Sequence, residues 1–411
     1  MARIIIVGGS LGGLFAANLL LRAGHEVAVL EKSPSALDGR GAGIVTHPSL
    51  LRALRAAGAA SAENLGVEVA SRRVLDPGGA VAASLPLPQL LTSWARLYQI
   101  LLELLPSPCY HRGKEVTALL QSAGAVSARC GDGTGFEGDL LLASDGLRST
   151  VRAQLAPHVQ PFYAGYVAWR GVCDEAALSE DTHASLFEHF GFCLPPGEQI
   201  LGYPVAGAGN SSRRGERRYN FVWYRGARGK VLEELLTDSG GMHHPGGIPP
   251  NRIAEDNILR MRADARRLLA PQFVEVLEKT PQPFLQPICD VASEQLAFGR
   301  AALMGDAAFV ARPHVGMGVT KAAEDALSVC ECIERHGAGP EALLAYHEAR
   351  QPVGLLIVER ARELGAYMQA QGQPGQSAPA APGRDARRVL EDTAIDFRPG
   401  RGARRIHPAP A

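Results

Sequence analysis

Long apolar runs, lysine, paired cysteines and net charge are all scarce in this sequence. The richest apolar stretches, around 19–21 and 101–105, are broken by charged residues before they reach bilayer length, so a spanning helix is not expected. Lysine supplies five of the 42 basic residues and arginine the other 37, while 42 acidic residues bring the formal charge to zero. A neutral chain has no polycationic field, which argues against non-specific binding to nucleic acid or an anionic membrane. The seven cysteines are an odd number with no Cys-x-x-Cys pair and no metal-ligand spacing. That pattern speaks against a redox dithiol, a zinc site or a disulfide scaffold, and points to a reducing cytoplasm.

What is present is the balance of a globular chain, with 46% hydrophobic and 20% charged residues. At 411 residues it exceeds one ordinary core and suits two or three domains. The opening Met1-Ala-Arg-Ile-Ile-Ile-Val-Gly8 has too short an apolar core for a secretion signal and runs straight into glycines. The β-branched run before Gly8 predicts a strand buried on both faces, 11–23 a helix ended by Gly24, and 26–30 a second strand. This is a βαβ start, hence a parallel sheet. Further on, 163–225 reads as strands carrying most of the aromatics, 254–279 as helix, and about 321–335 and 340–369 as helices.

The loop Gly8-Gly9-Ser10-Leu11-Gly12-Gly13 supports two opposed readings. As a dinucleotide turn of the form G-x-G-x-x-G it has Ser10 in place of the middle glycine; Gly8 permits the tight turn, and Gly13 lets the helix lie close on the strand. As G-x-S-x-G it would be the nucleophile elbow of a serine hydrolase using Ser10. Only seven residues precede the motif, too few for the earlier strand that completes an oxyanion hole. The dinucleotide reading also requires an acid at the end of the next strand, and Glu31 stands there; a solvated strand-end acid is the bland alternative.

Two further turns follow. Asp145-Gly146 opens a segment capped by Ser149, which by itself could be no more than a turn before a helix. Gly305-Asp306 is followed by Arg312-Pro-His-Val-Gly-Met-Gly-Val-Thr320, where Pro313 stiffens a loop and Gly316 and Gly318 free backbone N–H groups at a helix start. The three segments, in this order and spacing, resemble the single-component flavoprotein aromatic hydroxylases, the family of para-hydroxybenzoate hydroxylase, over the chain to about residue 370. Ala164-Gly-Tyr-Val-Ala-Trp-Arg-Gly171 and Arg312-Pro-His314 are similar to the hydroxypyridine hydroxylases within it.

The resemblance implies an α/β fold: a discontinuous Rossmann-like FAD-binding domain (1–65, 93–160, 285–330), an inserted, mostly antiparallel substrate domain (66–92, 161–284), C-terminal helices (331–370), and a linker with a loosely ordered tail (371–411). It implies non-covalent FAD, its pyrophosphate on Gly8, Ser10, Leu11 and Gly13. Glu31, Lys32, Gly43 and Asp145 join the cofactor set, Asp306 meets the ribityl chain, and Pro313, Gly316, Gly318, Val319 and Thr320 line the flavin edge. NADH or NADPH is the transient reductant, O2 adds to give a C4a-hydroperoxyflavin, and a small aromatic or N-heteroaromatic ring is hydroxylated. A homodimer to which the helices near 321–370 contribute is a further expectation. Phe309 stands where many relatives have His, Thr320 where they have Asn, and Trp94 where an arginine begins the returning helix, which leaves a pyrophosphate contact from Arg96 unassigned.

Ionising a ring hydroxyl needs a proton acceptor near working pH. His314, in the loop beside the flavin, is the candidate, with Tyr203 as a second group to hold a ring oxygen. A histidine merely hydrogen-bonded in its loop stays an open alternative, as does a flavin-binding protein that has lost turnover. Trp169, Trp223 and Tyr224 read as core or pocket wall. No metal is expected, since His243-His244 has no third ligand nearby.

Overall fold

The computed structural model describes residues 1–37, 43–59, 65–368 and 384–396. Arg3–Val7 lies inside a six-stranded sheet, parallel to Glu26–Glu31 on one side and to Leu140–Ala143 on the other. Ala301–Leu303 continues the sheet in parallel, Ala297–Phe298 closes that edge antiparallel, and Tyr110–Arg112 forms the opposite edge. Ile4, Ile5, Ile6, Leu140, Leu141 and Leu142 are all buried, because helices cover one face and a small three-stranded sheet (Val116–Gln121, Val126–Cys130, Gly135–Gly138) sits against the other side of the layer. The first helix, Leu11–Arg22, packs against Gly318–His336, with Ala16 and Ala17 wholly buried.

A nine-stranded sheet forms the second layer, antiparallel except where His189–Cys193 runs parallel to Val67–Leu75. Alternation along its strands sends side chains to two different cores. Val167, Trp169, Phe221 and Trp223 pack under the helices Glu255–Leu268 and Pro271–Lys279, whereas Tyr166, Ala168, Tyr203, Val222 and Tyr224 face the opposite side. Both faces are buried, so the strands lack a polar stripe. The fold is the α/β combination of a parallel nucleotide-type sheet with a mostly antiparallel one.

Two boundaries differ from those read in the sequence. Phe284–Ala292 pairs antiparallel with Phe162–Asp174, and Gly43–Val45 pairs with Val81–Ser93, so both strands belong to the nine-stranded sheet. The expectation of a loose tail from 371 is corrected over 384–396: Ala386–Asp392 is a helix, Asp385 caps it by accepting from the N–H groups of Arg387 and Arg388, and Val389 and Leu390 are buried. Few apolar residues are needed there because backbone carbonyls carry the docking, as described below. The linker 371–383 and the end 397–411 lie outside the described residues.

Candidate functional site

The glycine turn leaves the carboxyl end of Arg3–Val7, the edge at which open parallel sheets bind ligands. Gly8 adopts φ +103°, which side chains rarely tolerate, and its N–H donates to the Leu30 carbonyl at 2.9 Å. A Cβ on Gly13 would lie 1.9 Å from the Gly8 carbonyl oxygen, so the helix can rest on the turn only with glycine there. Ser10 precedes the helix in an extended conformation and its hydroxyl makes no capping bond, while the buried Leu11 begins the helix. The N–H groups of the first turn therefore keep their capacity for an anion.

Glu31 is buried at the tip of the adjacent strand; Oε2 accepts from the Gly9 N–H (2.9 Å) and Oε1 from the Ser33 N–H (2.8 Å). Each oxygen retains a lone pair for a ribose hydroxyl, and Lys32 beside it is exposed. Tyr110, which the sequence did not single out, donates to the Gly9 carbonyl at 2.9 Å, and a Cβ on Gly9 would sit 2.3 Å from its hydroxyl. Gly43 donates to Asn220 Oδ1 (3.1 Å) and would collide with the Tyr203 ring if it carried a side chain.

At the end of the next strand, Asp145 Oδ2 accepts from the Val151 N–H at 3.3 Å, while Oδ1 is buried with no hydrogen-bond partner among the described residues. Burial raises this carboxyl's pKa. The buried Arg152 donates to the carbonyls of Ala307 (2.9 Å) and Val159 (3.2 Å), which ties this segment to the Gly305 turn. There Asp306 presents a half-exposed carboxylate, 4.0 Å from the Nζ of a fully buried Lys321. Lys321 donates to the Gly305 carbonyl (2.7 Å), Asp325 accepts the Gly305 N–H (3.0 Å), and Arg350 donates to Asp325 (2.7 Å). This network sets the aspartate's position, and its members lie too far from it in sequence to show as a local pattern.

Pro313 begins a single 3-10 turn, Pro313–Val315, and Gly316 (φ +66°) redirects the chain toward Gly318, which opens the helix Gly318–His336. A Cβ on Gly318 would meet nothing within 4 Å, leaving open space at the helix start beside Val319 and Thr320. Thr320 bonds His47 Nδ1 at 2.9 Å, whereas His47 Nε2 is buried without a partner among the described residues. Burial, against the opposing Asp396, pulls the His47 pKa down to about 4. His47 was not singled out in the sequence; its position at the start of the helix Pro48–Ala57 gave no local signal.

His314 is 1% exposed. Its Nε2 lies 2.9 Å from the Tyr166 hydroxyl, and its ring centroid is 4.2 Å from that of Tyr224 and 5.8 Å from that of Tyr367. Burial first, then the nearby cations Arg384 and Arg312, lowers its pKa to about 3, so the imidazole is neutral, shares one hydrogen bond with the Tyr166 hydroxyl, and is not the acceptor titrating near working pH that the sequence suggested. Tyr203 is on the same sheet face, separated from the Tyr166 strand by Arg218–Gly226. Its ring contacts Phe190 (centroids 4.8 Å apart), and burial raises its phenol pKa. His314 and Tyr203 thus share a wall without sharing partners. Arg312, next to the loop, is held in a buried pair with Asp290 (2.9 Å), which Arg362 also joins.

Arg96 lies in the first turn of Trp94–Glu103, where its N–H is capped by Ser93. His244 pairs with Asp238 at 3.1 Å, and no cluster of His, Cys, Asp or Glu suited to a metal occurs among the described residues. Nor is any helix there long and apolar enough to cross a membrane.

Three turns at one sheet edge, with an uncapped helix N-terminus, a buried acid at the next strand's tip and a carboxylate oxygen unpartnered among the described residues, suit a dinucleotide cofactor such as FAD. The chain belongs to the FAD binding domain family of flavoprotein hydroxylases, whose model matches residues 1–199 and 261–361, and residues 163–290 match an FAD binding domain-like family. It is 31% identical over 380 residues to the 2,6-dihydroxypyridine 3-monooxygenase of Paenarthrobacter nicotinovorans, covering 92% of this chain and 94% of that one. A salicylate hydroxylase of Pseudomonas putida is 28% identical, covering 88% of this chain and 85% of that protein. Among solved structures, 2,6-dihydroxypyridine-3-hydroxylase from Arthrobacter nicotinovorans superposes with a TM-score of 0.85 at 30% identity, over 94% of this chain and 98% of that chain. The protein is an FAD-dependent monooxygenase of the aromatic hydroxylase kind, using NAD(P)H and O2. The serine-hydrolase reading of Ser10 falls with this membership.

Proposed function

We propose that this chain hydroxylates a small, phenol-like N-heteroaromatic ring of the hydroxypyridine class. The observation that carries the reading is the convergence of the turns at 8–13, 145–152 and 305–306 on one sheet edge, beside a wall of buried tyrosines. The near full-length likeness to a hydroxypyridine monooxygenase supports the substrate class.

Gly8, Ser10, Leu11 and Gly13 would hold the FAD pyrophosphate on the first helix, Glu31 and Lys32 the adenosine ribose region, and Gly43 and Asp145 the approach to the flavin. Asp306 would accept from the ribityl hydroxyls, and the backbone of Pro313, Gly316, Gly318, Val319 and Thr320 would meet the ring's pyrimidine edge. When bound, FAD supplies the redox and oxygen-transfer chemistry. This chain's own part is to exclude water and to hold the ring hydroxyl. Tyr166, Tyr203, Tyr224, Phe190 and Phe192 make a dry wall. The hydrogen bond between His314 Nε2 and the Tyr166 hydroxyl fixes that phenol in place, and the pair is the polar group offered to a substrate hydroxyl. Tyr203 holds a ring oxygen. A homodimer working in the cytoplasm is the accompanying expectation, and light scattering of the purified chain tests the dimer.

The deciding experiment measures NAD(P)H oxidation by the FAD-loaded chain with hydroxypyridines, hydroxybenzoates and purines, with product masses. Stimulation by hydroxypyridines with one added oxygen is expected. Preference for another ring class would overturn the substrate assignment, and tight FAD without stimulation by any ring would make the chain a non-catalytic flavin binder.

A further inference from the structure

Arg72 is fully buried in the nine-stranded sheet, and no carboxylate pairs with it among the described residues. Its guanidinium donates to Gln89 Oε1 (2.8 Å) and to the carbonyls of Leu390 (2.8 Å), Thr393 and Ala394 (3.0 Å). Three of these four acceptors among the described residues thus belong to the C-terminal end of one short helix and the turn after it, more than 300 residues away. Burial lowers the Arg72 pKa to about 9, so the charge is still present near neutrality. A buried cation needs such a set of acceptors, and carbonyls at the end of a helix carry partial negative charge.

The segment held in this way rests on the site. The Ala394 N–H donates to the His314 carbonyl at 2.9 Å, and a Cβ on Gly316 would fall 2.6 Å from that of Ala394. Ala394 sits at φ 51°, a conformation non-glycine residues seldom keep, pinned between that bond and the one from Arg72. Val389, Leu390 and Ala394 share one apolar cluster with Tyr166, Tyr203 and Tyr224. Asp396 lies close enough to His47 to oppose the effect of burial on that imidazole.

We propose that Arg72 is a positioning residue of the hydroxylation site, fastening residues 384–396 against the loop 312–320 so that this segment forms a wall of the substrate pocket. The wall sets how tightly the ring fits and keeps water from the reacting face. The proposal rests on the functional reading of that loop given above. Its test compares the FAD-loaded parent chain with Arg72→Met and Arg72→Lys. Hydrogen exchange over 384–396, FAD content, KM and the ratio of product to NAD(P)H consumed are measured for each.

Arg72→Met is expected to speed exchange in the segment and raise KM at least ~10-fold, with NAD(P)H diverted to peroxide and FAD content unchanged; Arg72→Lys should recover part of the fit. A lower melting temperature with KM and coupling unchanged would overturn the proposal, as would undiminished protection of 384–396. Should Arg72→Met fail to fold, Leu390→Ala loosens the same helix from its buried side and is judged by the same readouts. If no ring stimulates the parent chain, the hydroxylase reading fails, and iodide quenching of the bound flavin then decides the wall. Greater quenching in Arg72→Met supports it, and unchanged quenching overturns it.

Discussion

His314 and His47 show how far a single residue's role depends on its surroundings. Each imidazole is buried, and each pKa is driven below the ordinary value of 6.5, to about 3 and about 4. Arg384 and Arg312 add to the effect of burial at His314; at His47, Arg72 adds to it and Asp396 opposes it. A histidine with a depressed folded-state pKa takes up its proton first in the unfolded chain. Its contribution to stability is therefore complete above pH 6.5 and is lost as the pH falls from there toward the folded values. By pH 5 the loss is about 2 kcal/mol per histidine. The urea midpoint should accordingly fall between pH 7 and pH 5, and His47→Gln should flatten that fall; a pH-independent midpoint would contradict the burial of both rings. The loop bearing His314 was legible in the Arg-Pro-His run, but its closure by Tyr166, Tyr224 and Tyr367 was not, because strands far apart in sequence deliver the first two of those rings. The base expected to titrate near working pH is instead an enclosed, neutral imidazole bonded to a tyrosine.

At the scale of elements, the first strand, turn and helix form a unit whose spacing is set by two glycines. Gly13→Ala would place a methyl 1.9 Å from the Gly8 carbonyl oxygen, and the backbone cannot yield there without moving the helix off the strand. The expected outcome is a stability loss of about 1–3 kcal/mol and FAD affinity weakened at least ~10-fold, read by thermal melting and by titration of flavin fluorescence. Unchanged FAD affinity would remove this turn from the cofactor site. The unit could be read in the sequence because each of its demands is local: positive φ at Gly8, close approach at Gly13, burial on both faces of Arg3–Val7. The helix Ala386–Asp392 could not, since its anchor, Arg72, sits in a strand on the other side of the sequence.

For the whole molecule, FAD would join what the chain separates. Its proposed contacts come from 8–13, 31–32, 145, 306 and 313–320, segments spread over most of the polypeptide, so binding should stabilise the chain as a unit. FAD at a hundred times its Kd should add about 2.7 kcal/mol, seen as a melting temperature that climbs with FAD concentration, and less with FMN, which lacks the adenylate half. No shift with FAD would refute the cofactor set. Residue type and spacing alone determined the parallel nucleotide-type sheet, the glycine turns, the acid at 31 and the aspartate at 306, because these answer to backbone geometry within a few residues. Only tertiary structure decided the enclosure of His314, the support of the Gly305 turn by Lys321, Asp325 and Arg350, and the docking of 384–396 on Arg72. Each of those rests on a buried charge or polar group, and such a group is stable only where distant parts of the chain meet to satisfy it.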